Sequence, residues 1–418
     1  MSPLRDEALK MHKEKQGKIG VYSKVKVQNS TDLSLAYSPG VAEPCLEIYK
    51  DESKVYDYTM KGNLVGIISD GTAVLGLGNI GPKAAMPVME GKALLFKSFA
   101  EIDAFPICLN TNNPDKIVEV VKLLEPNFGG INLEDIAAPQ CFEIEVRLRK
   151  SCDIPVFHDD QHGTAIVTIA GLINALKLTN KKIEDVQIVV NGAGAAGIAI
   201  VKLLLHMHVK NIILCDTKGI VYEQRPIGMN ALKEEIARIT NIEHKRGRLA
   251  EALIDADVFI GVSAAGVVDE DMVRSMNHNP IIFALANPTP EIMPNKAKIA
   301  GALVVGTGRS DFPNQVNNVL AFPGVFRGAL DVQAKEINEE MKLAAVYAIA
   351  DLISEEELHV NYVIPNPFDP RVVPHVAYAV ARAVARAAVE TGVSRKNISM
   401  SEIKNNLFRL TKETNILK

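Results

Sequence analysis

One segment of this 418-residue chain constrains its fold more than any other, the run VQIVVNGAGAAGIAIVKLLLHMHVKNIILCDTKGI at residues 186–220. It has the pattern of an apolar strand, a glycine-rich turn, a helix and a second strand that ends in Asp216. The spacing of Gly192, Gly194 and Gly197 suits a tight turn, close approach of the backbone to a pyrophosphate, and packing of the helix on the strand. An acid after the second strand lies where a ribose binds in such units. We therefore predict a dinucleotide site, and a glycine-rich turn in another kind of α/β domain is the alternative.

The composition is that of a globular protein of two or three domains, with 47% hydrophobic residues. The 46 basic and 50 acidic residues are spread along the chain and give a net charge of -4, so no basic face for nucleic acid is expected. The N-terminus lacks a hydrophobic signal region, and no stretch reaches the roughly 18 apolar residues of a membrane span. Five cysteines without metal-knuckle spacing indicate reduced thiols. We expect a cytoplasmic enzyme with no nucleic-acid or membrane partner.

The first part of the chain alternates short apolar runs with helical stretches, which predicts a parallel sheet. Its strands are predicted at 64–69, 104–110, 129–133 and 154–158, and its helices include 115–124 and 140–150. A second series follows a helix expected at 164–178, and its strands VQIVVN, IILC, DVFIGV, IIFAL and ALVVG predict a nucleotide-binding sheet. The predicted fold class is thus α/β with two parallel-sheet domains, the second of Rossmann type.

The last part of the chain is alanine-rich and helical at 327–352 and 374–391, with three prolines between these stretches. We expect these helices to pack back on the first domain. The predicted domains are a ligand- and metal-binding catalytic domain at 1–160, a nucleotide-binding domain at 161–317 and a C-terminal helical segment at 318–418. If the domains close around a crevice, the hinges should fall near 160 and 317.

Two acidic pairs follow two of the predicted strands. Glu134 and Asp135 come after GGINL, and Asp159 and Asp160 come after IPVFH. Ligands of open parallel sheets bind beyond the carboxyl ends of the strands, so these carboxylates could converge on one cation. An oxygen-only set favours Mg²⁺ or Mn²⁺, although a turn or helix cap is the commoner role of any single acid. Because neighbours in extended chain point in opposite directions, Asp159 and Asp160 should have different roles.

Other side chains are ambiguous on their own. His158 and His162 are close enough to the acids to keep a softer metal such as zinc open, but we interpret them as packing or helix-start residues. Lys92 has the pattern of a solvated helix lysine, and Lys97 lies about one turn further along. Tyr37, before Ser-Pro-Gly, is typical of a residue that anchors a turn.

The chain resembles the malic enzymes through an ordered series of motifs that runs through nearly its whole length. These are YSPGVAEPC at 37–45, ISDGTAVLGLGNIGPKAAMPVMEGKALLFKSFAEID at 68–103, NLEDIAAPQCFEIE at 132–145, FHDDQHGTA at 157–165, NGAGAAGIAI at 191–200, ALANPTPE at 284–291 and GRSDFPNQVNNVLAFPG at 308–324. The length is similar to that of the short bacterial form. The resemblance implies oxidative decarboxylation of L-malate to pyruvate and CO₂ with reduction of a nicotinamide cofactor.

The resemblance also implies roles for single residues. Lys92 in MEGKALLFK matches the family's base for the C2 hydroxyl, and Tyr37 in AYSPG matches the acid that protonates C3 after CO₂ leaves. A nearby cation and partial burial would both lower the pKa of Lys92. The other matches are Glu134, Asp135 and Asp160 as metal ligands, Asp159 as the acid that hydrogen-bonds the lysine, and Asn287 and Asn318 as asparagines that bind malate and approach the nicotinamide.

Three points stay open in the sequence. Ala73 stands where larger relatives carry an arginine for a malate carboxylate, so the partner of that carboxylate is not identified. Asp216 would accept from the ribose hydroxyls of NAD while Lys218 could meet a 2′-phosphate, and the balance favours NAD over NADP. The resemblance implies a homodimer or a dimer of dimers, with residues near Tyr37 at a shared interface.

The predicted cofactor contacts are Gly192, Gly194, Ala195, Ala196, Gly197, Asp216 and Asn287.

Two alternatives to a malic enzyme remain at this point. One is a malolactic-type activity, in which the nucleotide stays bound and pyruvate is reduced again to lactate. The other is a non-enzymatic nucleotide-sensing module, which would bind NAD without needing the acidic cluster or Lys92.

Overall fold

Two sheets organise the chain in the computed structural model, which describes residues 3–74, 76–368, 373–396 and 401–402. The first consists of β1 (Leu64–Ser69), β2 (Asp103–Cys108), β3 (Gly130–Leu133) and β4 (Val156–His158), all parallel, in the order β2-β1-β3-β4. Strands β1, β3 and β4 are fully buried, as expected of parallel strands covered by helices. The helices of this part are α1 (Pro3–Lys15), α2 (Ser30–Ala36), α3 (Ala42–Lys50), α4 (Val55–Tyr58), α5 (Gly81–Ala100), α6 (Pro114–Leu124) and α7 (Gln140–Ser151).

The second sheet has the strand order of a dinucleotide-binding fold. Its strands are β5 (Gln187–Asn191), β6 (Asn211–Asp216), β7 (Gly219–Ile220), β8 (Val258–Gly261), β9 (Ile281–Ala284) and β10 (Val304–Thr307), in the order β10-β9-β8-β5-β6-β7. The order reverses between β5 and β8, which is where doubly wound sheets bind their ligands. The predicted fold class is therefore confirmed. The helices here are α8 (Asp159–Thr179), α9 (Ala195–His206), α10 (Ala231–Ile239), α11 (Leu249–Leu253), α12 (Glu270–Arg274) and α13 (Pro294–Ile299).

The short strand β7 was not predicted from the sequence. It pairs antiparallel with β6 through Cys215–Ile220 and Asp216–Gly219 contacts, unlike the parallel strands around it. Gly219 adopts a φ of 103°, which favours glycine and lets the chain reverse within two residues. A strand of two residues carries too little periodicity to be recognised in advance.

The expectation of one continuous helix at 327–352 is wrong. The structure has α14 (Phe322–Asp331) and α15 (Glu339–Ala350), followed by α16 (Val373–Glu390). Gln333 has a φ of 50°, and the Ala334 amide donates to Ala329 at 2.8 Å, which closes α14. Asn338 then caps α15 by accepting from the Met341 amide. Of the three prolines expected to separate the helices, Pro370 lies outside the described residues.

Aromatic contacts fix the C-terminal helices against the first sheet. Helices α14 and α16 lie against α5, and α15 lies against α8. The ring of Phe96 on α5 is 4.7 Å from that of Phe322 and 5.3 Å from that of Phe326, and Phe326 in turn lies 5.7 Å from Phe157 on β4. Edge-on packing of buried rings contributes energy beyond their area, so this cluster holds α5 rigidly. Lys92 lies one helical turn before Phe96 and takes its position from it.

Candidate active site

A buried lysine lies where the first sheet, α8 and the C-terminal helices meet. Lys92 is 7% exposed, and its Nζ lies 2.5 Å from Asp159 Oδ2 and 2.9 Å from Glu134 Oε1. The ammonium also stands over the ring of Phe322, 4.2 Å from its centroid. Glu134 follows β3 and Asp159 is the first residue of α8. Thus the lysine and the two acids that hold it come from three different elements.

Three carboxylates form an oxygen-rich cluster beside this lysine. Glu134, Asp135 and Asp160 each offer an oxygen, and these atoms lie within 4.8 Å of one another. Strands β3 and β4 are adjacent and parallel, so the residues that follow them meet at one edge of the sheet. Asp160 Oδ2 also accepts from the Asp135 amide at 2.9 Å. The residues present fit a hard divalent cation such as Mg²⁺ or Mn²⁺, as the sequence predicts.

The carboxylates around Lys92 shift one another's protonation. Burial raises the pKa of Glu134 and of Asp159 to about 7, even though Lys92 opposes both shifts. Burial likewise raises the pKa of Asp160 to about 6. Burial by itself lowers the pKa of Lys92, but Asp159 and Glu134 outweigh it and raise that pKa overall. The expected lowering of the Lys92 pKa therefore does not come from the protein alone. The negative charge of the carboxylates, which a bound cation would neutralise, raises that pKa.

Asp159 and Asp160 have different partners, but not for the reason expected. Both are helical residues of α8, so the alternation of extended chain does not apply to them. Successive helical residues are about 100° apart around the axis, which directs the two carboxylates to different neighbours. Asp159 Oδ2 accepts from Lys92 and from Asn318 Nδ2, whereas Asp160 faces Asp135. The predicted helix start at 164 is too late because two acids in a first turn are favourable at a helix N-terminus.

Gly163 makes room for Asp159, and the sequence reasoning missed it. A Cβ at Gly163 would lie 1.9 Å from Asp159 Oδ1 and 3.3 Å from the Cβ of Asn318. Residues i and i+4 of a helix are neighbours, so the short side chain at 163 lets the carboxylate of 159 lie along the helix surface. A glycine four residues after an acid at a helix start is the signal that could have identified it.

Gly163→Ala is expected to lower kcat of the oxidation that the resemblance implies by about a hundredfold, since a misplacement of about 1 Å is enough for such a loss. The methyl group would displace the carboxylate that holds Lys92. Gly171→Ala on the same helix is the matched control, because its Cβ would meet Phe283 at 3.4 Å and Ile364 at 3.7 Å, both ordinary contacts. Steady-state kinetics of the two variants give the comparison, and equal activity in both would contradict the role of Gly163.

Of the two predicted asparagines, the structure brings one into contact with the Lys92 cluster. Asn318, in the short 3-10 helix Asn318–Leu320, donates from Nδ2 to Asp159. Asn287 follows β9. A Cβ at Gly308 would lie 2.6 Å from the side-chain Nδ2 of Asn287, and a Cβ at Gly76 would lie 3.0 Å from its backbone carbonyl oxygen. Asn287 therefore lies where three loops meet, and it makes no direct hydrogen bond to the cluster in the described part of the chain.

The structure does not bring Tyr37 to the lysine. Tyr37 directly follows α2, is 69% exposed, and makes no side-chain hydrogen bond among the described residues. Lys97, the rival base, is held elsewhere by Asp103 at 3.1 Å and Glu101 at 3.3 Å. The Ala73 amide donates to the backbone carbonyl oxygen of Asp135 at 3.0 Å, so the position without the arginine borders the cluster. The methyl group of Ala73 cannot hold a carboxylate.

Further polar residues behind the cluster orient its members. Asn132 on β3 is fully buried and donates from Nδ2 to Glu134 Oε2 at 2.8 Å. It could have been predicted, because residues i and i+2 of a strand share a face. His162 contacts Glu145 at 2.6 Å and packs on Phe157, so it is a packing residue, as interpreted. Neither His162 nor His158, which precedes α8, belongs to the carboxylate set.

A second site lies at the carboxyl edge of the six-stranded sheet. It is a cavity of about 1080 Å³ whose lining includes Asn191, Gly192, Asp216 and Ser263. A Cβ at Gly192 would lie 2.4 Å from Val262 O, and one at Gly197 would lie 1.7 Å from Gly192 O, whereas the space beside Gly194 is open. The first and third glycines thus permit the turn and the packing of α9, and the second leaves room for a pyrophosphate, with Ala195 and Ala196 opening α9 behind it.

Asp216 lines this cavity and is held there by two cationic side chains. Its side chain is only 8% exposed and pairs with Arg225 at 2.5 Å and Lys233 at 2.6 Å. No sequence pattern indicates these partners, which follow Asp216 by 9 and 17 positions. The acid is therefore already engaged by protein groups.

Family comparisons agree with this arrangement of two sites. A model described as malic enzyme, N-terminal domain, matches residues 14–149, and one described as malic enzyme, NAD binding domain, matches residues 161–389. The chain belongs to the malic enzyme family. The carboxylate cluster lies at the junction of the two matched regions, and the glycine turn lies in the second.

Individual malic enzymes are similar to the chain over most of its length. The bifunctional malic/malolactic enzyme of Bacillus subtilis (strain 168) is 67% identical over 408 residues, 98% of each chain. The NAD-dependent malic enzyme of Geobacillus stearothermophilus is 55% identical over 91% of this chain and 78% of its own length. The crystal structure of malic enzyme from Pyrococcus horikoshii Ot3 superimposes with a TM-score of 0.93 at 48% identity, over 98% of this chain and 96% of that one.

Membership of this family confirms the prediction of an enzyme. Oxidative decarboxylation of malate is the family's reaction, and the chain's two sites fit it. The cofactor is NAD or NADP, since relatives named for each dinucleotide occur. The alternative of a nucleotide-sensing module without catalysis is not supported.

Proposed function

We propose that the Lys92–Asp159 pair performs the proton transfer that accompanies oxidation of L-malate in this chain. A cation held by the neighbouring carboxylates would oppose their effect on the pKa of Lys92, so that its neutral amine would accept the proton of the malate C2 hydroxyl. The nicotinamide, when bound, would supply the hydride acceptor. Asp159 Oδ2, 2.5 Å from Nζ, stabilises the ammonium that forms. The observation that carries this proposal is the position of Nζ, buried between Asp159 and Glu134 beside the carboxylate cluster.

Glu134, Asp135 and Asp160 are the residues that would hold the divalent cation. Bound there, Mg²⁺ or Mn²⁺ supplies Lewis-acid polarisation of the malate hydroxyl and, after oxidation, of the keto oxygen. Asn132 keeps Glu134 oriented, and Asn318 keeps Asp159 oriented. Asn287 and Asn318 donate amide hydrogens to the malate carboxylates without adding charge.

The test is a spectrophotometric assay that follows reduced nicotinamide with L-malate and either NAD or NADP, in Mn²⁺ or in EDTA. Metal-dependent reduction with release of pyruvate and CO₂ is the expected result. No reduction with either dinucleotide in the presence of Mn²⁺ would overturn the proposal.

A second candidate activity is conversion of malate to lactate. The similarity to the bifunctional malic/malolactic enzyme of Bacillus subtilis favours it. Pyruvate formed in the first half would take back the hydride from the reduced nicotinamide, so lactate and CO₂ would appear without net dinucleotide reduction. Chromatography of the products from the same reaction distinguishes lactate from pyruvate.

We infer that the chain works as a homodimer, or as a dimer of dimers, in which Tyr37 reaches the Lys92 site of the partner. Helices α2 and α3 have no buried residues, and apolar side chains on and beside them are exposed, including Leu35 at 73% and Tyr49 at 88%. Large exposed apolar patches mark interaction surfaces. In this arrangement Tyr37 protonates C3 after CO₂ leaves.

Hybrid dimers test this arrangement. Tyr37→Phe and Lys92→Ala are each expected to be nearly inactive as homodimers. Mixed in equal amounts, they should recover about a quarter of the wild-type activity, because half of the dimers are hybrids with one intact site. Hybrid formation is checked by native mass spectrometry of differently tagged chains. Hybrids that form and stay inactive would contradict a shared site.

We also infer a cytoplasmic location. All five cysteines are free thiols, three of them buried, which suits a reducing compartment. In the described part of the chain, no helix has the length and apolar character of a membrane span.

A further inference from the structure

The ribose end of the cofactor cavity contains an acid whose acceptor sites are filled. Arg225 donates to both oxygens of Asp216, at 2.8 Å to Oδ1 and 2.5 Å to Oδ2, and Lys233 Nζ lies 2.6 Å from Oδ2. The Lys218 amide is the fourth donor, 2.8 Å from Oδ1. A carboxylate has about four lone-pair sites, so Asp216 has none left for the hydroxyls of a ribose.

This arrangement is rigid. Arg225 is 5% exposed and also donates to the carbonyl oxygens of Gly219, Ile220 and Gly228. Although burial alone would raise the pKa of Asp216, its bonds to Arg225 and Lys233 hold that pKa at about 2. Releasing the acid toward a ligand would leave a buried guanidinium unpaired, which is costly. Asp216 therefore positions the turn after β6 and does not read the ribose.

Two other cations face the same cavity without such partners. Lys218 lies in the turn after β6 and Arg248 immediately precedes α11, and both line the cavity and are exposed. Within the ranges that the structure describes, no carboxylate lies at salt-bridge distance from either side chain. Lysine and arginine are the side chains that bind phosphate most strongly, the second in a bidentate manner.

We propose that Lys218 and Arg248 bind the 2′-phosphate of NADP, and that the chain therefore prefers NADP to NAD. In the sequence, Asp216 favours NAD over NADP. In the structure its oxygens already accept four hydrogen bonds from protein groups, so it neither binds the ribose hydroxyls of NAD nor repels the phosphate of NADP. The inference deepens the proposed function by naming its dinucleotide. Its test uses binding, so it does not depend on turnover of malate.

Isothermal titration calorimetry of the full chain with 2′,5′-ADP and 5′-AMP isolates this phosphate. We expect the chain to bind 2′,5′-ADP at least about tenfold more tightly, as charge-assisted hydrogen bonds allow. The double variant Lys218→Ala, Arg248→Ala should lose that advantage and bind 5′-AMP as the wild type does. Lys210→Ala removes an exposed lysine of the same domain outside the cavity and should change neither affinity.

Two outcomes would overturn the proposal. One is equal or weaker binding of 2′,5′-ADP by the wild type, and the other is an equal loss of affinity for both fragments in the double variant. A preference for 2′,5′-ADP in a chain that fails to oxidise malate would support this inference and overturn the proposed function. Because Lys218 and Arg248 are exposed, their removal leaves the packed Asp216–Arg225 pair in place.

Discussion

Replacing Lys92 by alanine is expected to lower kcat for malate oxidation by about 10² to 10⁴, the range that a positioned general base supplies. The variant removes the only ammonium that contacts Asp159 and Glu134 among the described residues. Decarboxylation of added oxaloacetate should survive in part, since the carboxylate cluster that binds the cation is retained. Stopped assays of both reactions on the same preparation measure the two effects separately.

Lys97→Ala is the matched control, because it removes a second lysine from the same helix, one that pairs with Glu101 and Asp103 instead. It should retain most of the malate oxidation. Circular dichroism shows whether each variant is folded. Lys92→Met, which keeps most of the length of the side chain without its amine, covers the case in which alanine destabilises α5. A folded Lys92 variant with wild-type oxidation would contradict the assignment, as would loss of oxidation in Lys97→Ala alone.

Asp160→Asn is expected to eliminate activation by Mn²⁺. The amide oxygen can still accept from the Asp135 backbone, so the local fold should remain while one negative ligand is lost. Mutation of residues that only orient the ligands of a metal typically lowers its affinity by about 10- to 100-fold. Loss of a ligand itself should lower the Mn²⁺ affinity by at least as much. Calorimetric titration with Mn²⁺ in the absence of malate measures the affinity directly.

Asp153→Asn provides the comparison for this variant. Asp153 precedes β4 and pairs on the surface with Arg395 at 2.7 Å, so its charge is removed without touching the cluster. Its Mn²⁺ affinity and Mn²⁺ dependence of turnover should equal those of the wild type. A Mn²⁺ titration of Asp160→Asn that is indistinguishable from the control would remove Asp160 from the ligand set.

The carboxylate cluster was predictable because its members follow adjacent strands of one parallel sheet. Glu134, Asp135 and Asp160 each stand within two residues of a strand end, and strand ends can be recognised from short apolar runs. Lys92 was not predictable in this way. It lies mid-helix, and only the matching of its motif to a family distinguished it from a surface lysine.

Other features depend on contacts that sequence patterns do not encode. The partners of Asp216 come from a loop and from α10, and nothing in their own segments marks them. The break between α14 and α15 depends on Gln333 in a left-handed conformation, which side-chain periodicity does not reveal. Local patterns specify elements and their ends, whereas the pairing of charges between elements is set by tertiary packing.

Helix α8 begins in the carboxylate cluster and runs without interruption to Thr179, where the chain enters the cofactor sheet. Residue 160 lies in its first turn, and the hinge predicted near 160 would fall where β4 ends and α8 begins. The helix packs along α9 and α15, and Asn174 donates to the carbonyl oxygens of Ala350 and Val363. If the nucleotide domain rotates together with α8, Asp160 moves with it while Glu134 and Asp135 stay with β3. Opening of the crevice and dispersal of the ligand set would then be a single movement.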